Sequence, residues 1–328
     1  MLRKLFPGGF SNSPFNSFKI VLVSESYLAN ETAGFIGDCV DLIEALFDTA
    51  PFGLTRMRPG WLSIYAGFTP SSQSGPAINT PAAANRTAFE SSLTTATGVL
   101  SLNQSKINSW VAGETLLADS VELPLSQFFT IGEPSSGFGG TLLVVLLPSV
   151  AGQPAGGEFY SVPGPKDVHY LAVSKDGFYQ QAVARGIAAQ VGLGDEFELP
   201  GTANLEPGTA GFAQTAAYNL QVFEGAPPSP IDSSSQWYAL SGVSERNSTT
   251  GVHAKVDPTM PDVTIDAAPA RQPRIEFWEG GGGFRTKVWR SAHDCLMRRR
   301  FGDATLPVRS AKVSFCPACR YYLRGVMG

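Results

Sequence analysis

The chain reads as an α/β protein with a loop-rich C-terminal part. Three observations predict this. A short apolar run at residues 18–24 (FKIVLVS) is consistent with a buried strand, and the continuous Leu/Val run within residues 139–148 (GGTLLVVLLP) with a strand buried on both faces. Helical spacing of apolar residues follows the first run, and a second helical stretch, 177–191, follows a strand at 168–174. The resulting order of strand, helix, strand, long loop, strand, strand, helix requires crossover connections.

Residues 1–17 are rich in Gly, Ser, Asn and Pro and read as an extended arm. After the strand at 18–24, residues 31–47 place Phe35, Ile36, Val40, Ile43, Leu46 and Phe47 on one stripe of a helix. Residues 61–68 form a second strand, and the small, polar stretch 71–87 is a loop. Helices are expected over 89–102 and 106–117. The Leu/Val run at 139–148 belongs in a central, parallel position, and 151–157 is a Gly/Pro loop. Gly192 stops the helix at 177–191. Beyond Pro200 the chain is loop-rich to about residue 263, with short strands at 274–278 and 286–289 around the glycine run 280–283. Three regions follow: an arm (1–17), an α/β core (18–200) and a loop-rich C-terminal region packing on it (201–328).

Composition narrows the classes. A hydrophobic fraction of 43% builds a core and excludes a disordered chain. No apolar run approaches the roughly 18 residues of a membrane span, and residues 1–7 lack the apolar segment of a secretory signal. An intracellular setting, or a place in an assembled particle, is therefore expected over classical secretion. The net charge of −4 hides a split. Residues 271–328 hold 12 Lys/Arg against 4 Asp/Glu, and the rest holds 12 against 24. A basic layer packed on an acidic body explains this, because the tail is rich in Trp, Phe, Tyr and Cys. Binding of nucleic acid or another anion through the basic region is the alternative.

The turn Gly192-Leu193-Gly194-Asp195-Glu196-Phe197, directly after the helix, resembles that of the IgA-peptidase family of zincin-type metallopeptidases. That family carries H-E-x-x-H on a helix followed by G-L-[AG]-D-E-[YF]. The two His bind zinc from one helix face and the Glu is the general base. The strand and helix of residues 18–52, with Tyr27, are similar to the family's opening elements. So are the Leu/Val strand, residues 280–289, Cys295-Leu296-Met297-Arg298 and Phe315-Cys316-Pro317-Ala318-Cys319-Arg320. The resemblance implies a zincin-like fold, with a mixed sheet flanked by helices. It also implies that an acidic residue of the turn, Asp195 or Glu196, is the third ligand in active relatives.

This chain departs from the pattern at the chemistry itself. Aligned on the turn, the three catalytic positions are Arg185, Gly186 and Ala189, or, one residue earlier, Ala184, Arg185 and Ala188. Both His and the Glu are absent in either alignment. Only three His exist, His169, His253 and His293, and no two are spaced as a helical pair. No G-x-S-x-G, P-loop or dinucleotide fingerprint replaces them.

Four cysteines remain. Cys39 lies on the apolar stripe of the first helix and reads as a small buried hydrophobe. His293, Cys295, Cys316 and Cys319 form H-x-C…C-x-x-C. Three readings stand: reduced or disulfide-linked structural cysteines, a structural zinc site, and a redox C-x-x-C. No other cofactor is expected.

The sequence thus predicts a non-catalytic pseudo-metallopeptidase, a structural or binding module partnered by other protein subunits. A hydrolase with a displaced site is the enzymatic alternative, and anion or nucleic-acid binding is the third.

Overall fold

The structure, a computed structural model, describes residues 2–6, 17–53, 61–79, 86–94, 99–118, 121–129, 140–149, 158–160, 168–175, 179–193, 217–222, 252–253, 277–281, 284–290, 295–298 and 315–327. The chain divides into two compact units. The first is Met1–Val191 with Phe301–Val308 and Val326–Gly328, and the second is Gly192–Arg300 with Arg309–Gly325.

The first unit begins with β1 (Arg3–Phe6), β2 (Phe18–Ser24), α1 (Thr32–Asp48) and β3 (Leu62–Gly67). There follow β4 (Ala77–Ile78), β5 (Ser92–Thr94), β6 (Val99–Ser101), α2 (Gln104–Gly113), β7 (Thr115–Ala118) and β8 (Val121–Pro124). It continues with β9 (Thr141–Leu147), β10 (Glu158–Tyr160), β11 (Tyr170–Ser174) and α3 (Tyr179–Gln190). The main sheet runs β1-β3-β2-β9-β11-β10. Its four inner strands pair in parallel, and both edges, β1 and β10, are antiparallel. The protein is thus mixed α/β, with a mixed sheet and helices.

The inner strands are buried throughout and mostly apolar because both sheet faces are covered, with Lys19, Ser63, Thr141 and Ser174 among the polar exceptions. In register, Val21 and Val23 of β2 lie beside Leu143 and Val145 of β9, which lie beside Tyr170 and Ala172 of β11. These residues share a core with Leu93, Leu100, Ile107, Val111 and Leu116 from α2 and the small strands, and with Leu125 and Phe128 from the 3-10 turn after β8. Alternation sends Leu142, Val144, Leu171 and Val173 to the other face, and α3 packs on β9, β11 and α1.

Four sequence expectations change. Residues 3–6, expected in an extended arm, pair with β3 and close the sheet edge, with Leu2 buried beside them. The helix expected over 89–102 is instead an antiparallel pair, β5 with β6. Its SSLTTATG sequence is Ser/Thr-rich, and β-branched Thr favours strands while Ser and Thr compete for helix hydrogen bonds. The helix expected over 106–117 ends at Gly113, and Thr115 begins a strand. It starts at Gln104 because the Asn103 side chain accepts from the Lys106 N–H. On α1 the buried stripe is Phe35, Cys39, Leu42, Ile43, Leu46 and Phe47. Val40 is 43% exposed and lies outside it.

The second unit contains β12 (Leu220–Val222), β13 (Val252–His253), β14 (Phe277–Gly281), β15 (Phe284–Arg290) and α4 (Pro317–Val326), the last belonging to it up to Gly325. The sheet order is β12-β15-β14-β13. β14 pairs with β15 in antiparallel fashion, Gly281 lying opposite Phe284. Two tyrosines of α4 stack on Tyr218, at ring distances of 5.3 Å for Tyr322 and 6.4 Å for Tyr321. Among the described residues no helix is long and apolar enough to cross a membrane.

Candidate functional site

α3 carries the positions where the resemblance places metallopeptidase chemistry. Its sequence, YQQAVARGIAAQ, is rich in alanine, the best helix former. Small side chains also let the helix sit close to its neighbours. Ala184 and Ala188 are fully buried, and Arg185 is 3% exposed. Gly186 is buried too, and Ala189 is half-buried. Every position in the alternative alignment, and two of three in the first, is therefore closed to solvent.

These residues do not fit a zinc ion. A catalytic zinc takes three protein ligands bearing N, S or O donors. Alanine and glycine side chains offer none, and Arg185 brings a permanently charged guanidinium. Asp195 and Glu196 lie outside the described residues, as does His293.

The helix stop is built as the sequence indicates. Gly192 has φ +106°, in the left-handed region that favours glycine. A Cβ there would also lie 2.9 Å from the Tyr322 hydroxyl oxygen.

The structure brings together the three late cysteines. Cys295, Cys316 and Cys319 are each fully buried, and their Sγ atoms all lie within 4.8 Å of one another. The Cys295 and Cys319 sulfurs are 3.6 Å apart. Local folding explains the convergence. Pro317 opens α4, a position suited to its fixed φ and missing N–H. Cys316 therefore sits just before the helix and Cys319 in its first turn. The Cys316 N–H donates to Cys295 Sγ at 3.3 Å, and the Cys319 N–H donates to Cys316 Sγ at 3.5 Å. No disulfide joins any of the four cysteines.

The C-x-x-C does sit at a helix N-terminus, as a redox pair requires. Its burial opposes that chemistry, because reactive cysteines are partly exposed thiolates. Desolvation, followed by the hydrogen bonds to Cys295 and Cys316, holds the Cys319 thiol well above its usual range. The three thiols lie close enough together to bind a metal.

Two polar groupings carry no motif that a sequence would reveal. Asp38 on α1 accepts from the Tyr27 hydroxyl and pairs with Lys175, which follows β11 and also lies 3.4 Å from Asp41. Burial, then the hydrogen bond to Asp38, raises the Tyr27 phenol above its usual range. Asp38 and Asp41 stand three apart on the helix, a spacing that marks one face, but nothing in the sequence points to Lys175. Glu25, fully buried just after β2, accepts N–H bonds from Phe89 at 2.8 Å and Ser91 at 3.2 Å. Both groupings fasten loops and helices to the strand ends. His169 is half-buried, and desolvation lowers its pKa.

No protein-family model matches the chain, and no curated protein matches it.

Proposed function

We propose that the chain is a non-catalytic pseudo-metallopeptidase of zincin-like fold, serving as a structural or binding module within a larger protein assembly. The observation that carries this reading is the state of α3. The positions that the resemblance marks as catalytic hold no metal donor and no base, and all but Ala189 are buried. Loss of both ligands and the base, with the helix and its Gly192 stop intact, is the pattern of a scaffold kept without its chemistry. The mixed sheet, with α3 following parallel strand β11, supports the zincin-like fold.

Two measurements test the reading. Purified protein is incubated with a broad peptide mixture, with and without added zinc and a chelator. No cleavage is expected, and chelator-sensitive cleavage would establish the displaced-site hydrolase instead. Native extract is then compared with the recombinant chain by size exclusion. The native chain is expected to elute well above its own 34.8 kDa in a form insensitive to nuclease. Elution at monomer mass refutes the assembly role, and nuclease-sensitive elution favours nucleic-acid binding.

A further inference from the structure

We propose that Cys295, Cys316 and Cys319 hold a structural zinc ion, a site independent of the reading of α3. The donor set comes first. Three thiols meet within 4.8 Å, and each is fully buried. A disulfide consumes two of them and strands the third in the interior, whereas a metal uses all three. Thiolate ligands in a tetrahedral arrangement select zinc over the hard cations.

The geometry agrees. Zinc–sulfur bonds of about 2.3 Å place tetrahedral ligand sulfurs about 3.8 Å apart. The Cys295–Cys319 separation is 3.6 Å. The backbone is arranged for thiolates as well. N–H groups of Cys316 and Cys319 point at the sulfurs of Cys295 and Cys316. N–H bonds to ligating sulfur favour its charged form, and the N-terminus of α4 adds its partial positive charge. The ion would tie the short turn Leu296–Arg298 to the start of α4, across 21 and 24 residues of chain. Among the described residues no fourth His, Cys, Asp or Glu joins the group. His293, two residues before Cys295 in the sequence, lies outside them.

The test uses the full chain, produced in zinc-supplemented medium and purified with a thiol reductant. Elemental analysis of the folded protein is expected to give stoichiometric zinc. Exchange with Co2+ is expected to give the visible bands of a tetrahedral site and an intense thiolate-to-cobalt charge-transfer band. Cys295→Ser, Cys316→Ser and Cys319→Ser should each lose the metal, while Cys39→Ser retains it. Should the variants fail to fold, the cobalt spectrum of the unmodified chain decides alone. Folded protein without metal, and without a thiolate band after Co2+ addition, overturns the proposal. So does an intact mass lacking a pair of hydrogens, which reports a disulfide, or an iron content replacing zinc.

Discussion

Lys19 shows how one residue can set a pH dependence. It occupies a fully buried strand, with its ammonium donating to the Ser17 carbonyl at 2.8 Å and lying 5.0 Å from the centre of the Phe128 ring. Desolvation lowers its pKa from 10.5 to about 8. Below pH 8 the folded and unfolded states both carry the charge, and folding bears the full cost of burying it. Between 8 and 10.5 the unfolded chain binds more protons, so stability contributed by this group rises with pH. A tenfold difference in proton affinity between the two states corresponds to about 1.4 kcal/mol. Lys19→Met removes the titration while nearly keeping the side-chain length. In urea titrations at pH 7 and about pH 9.5, the parent should gain about 1–2 kcal/mol relative to the variant. Buried tyrosines and cysteines titrate in the opposite sense but equally in both proteins, so the difference isolates Lys19. Parallel profiles would show that this ammonium stays charged or reaches water.

At the level of elements, β9 carries the sheet. Val145 is fully buried between Val23 of β2 and Ala172 of β11. Val145→Asp would bury a carboxylate without a compensating partner, at a cost of several kcal/mol. Against a typical total of ~5–15 kcal/mol, soluble yield should collapse. Val40→Asp, on the exposed side of α1, should shift the melting temperature little, and equal losses in both variants would refute the assigned burial. β9 is legible in the sequence because a strand covered on both faces writes itself as an unbroken apolar run. α1 is legible as a helix, and so is most of its stripe: Phe35, Cys39, Ile43, Leu46 and Phe47 are buried as expected, and only the edge of the stripe is misplaced. Ile36 and Val40 are as apolar as Leu42, and only packing sorts them. The β5–β6 pair escapes a sequence reading because short strands carry little periodicity and take their form from tertiary contacts. Lys19 is hidden for a related reason, since a charged residue in a strand ordinarily reads as facing water.

For the whole molecule, the lack of donor side chains on α3 is easier to read than the convergence of the late cysteines. Absent His and Glu at the turn-anchored positions are visible in sequence alone. The convergence of Cys295 with Cys316 and Cys319 needs the fold, because residues more than 20 apart meet only through tertiary structure. That asymmetry bears on whether the site that the resemblance implies could be built on α3. One set of substitutions is Arg185→His, Gly186→Glu and Ala189→His, and the other is Ala184→His, Arg185→Glu and Ala188→His. The second inserts imidazoles at two fully buried alanines. Overpacking a filled core typically costs about 1–3 kcal/mol per site, before the expense of burying polar rings. That variant should lose soluble yield. The first places one imidazole at half-buried Ala189 and should fold better, yet Gly186→Glu still buries a carboxylate. Neither variant gains the outer hydrogen-bond partners that orient ligands, whose loss typically costs ~10–100-fold. Zinc-dependent peptide cleavage by either variant should therefore remain at background under conditions where an active metallopeptidase control turns over. Efficient cleavage by the first variant would mean that α3 opens to substrate and that only three side chains separate it from a metallopeptidase site. The closed helix would then be a resting form of a working site.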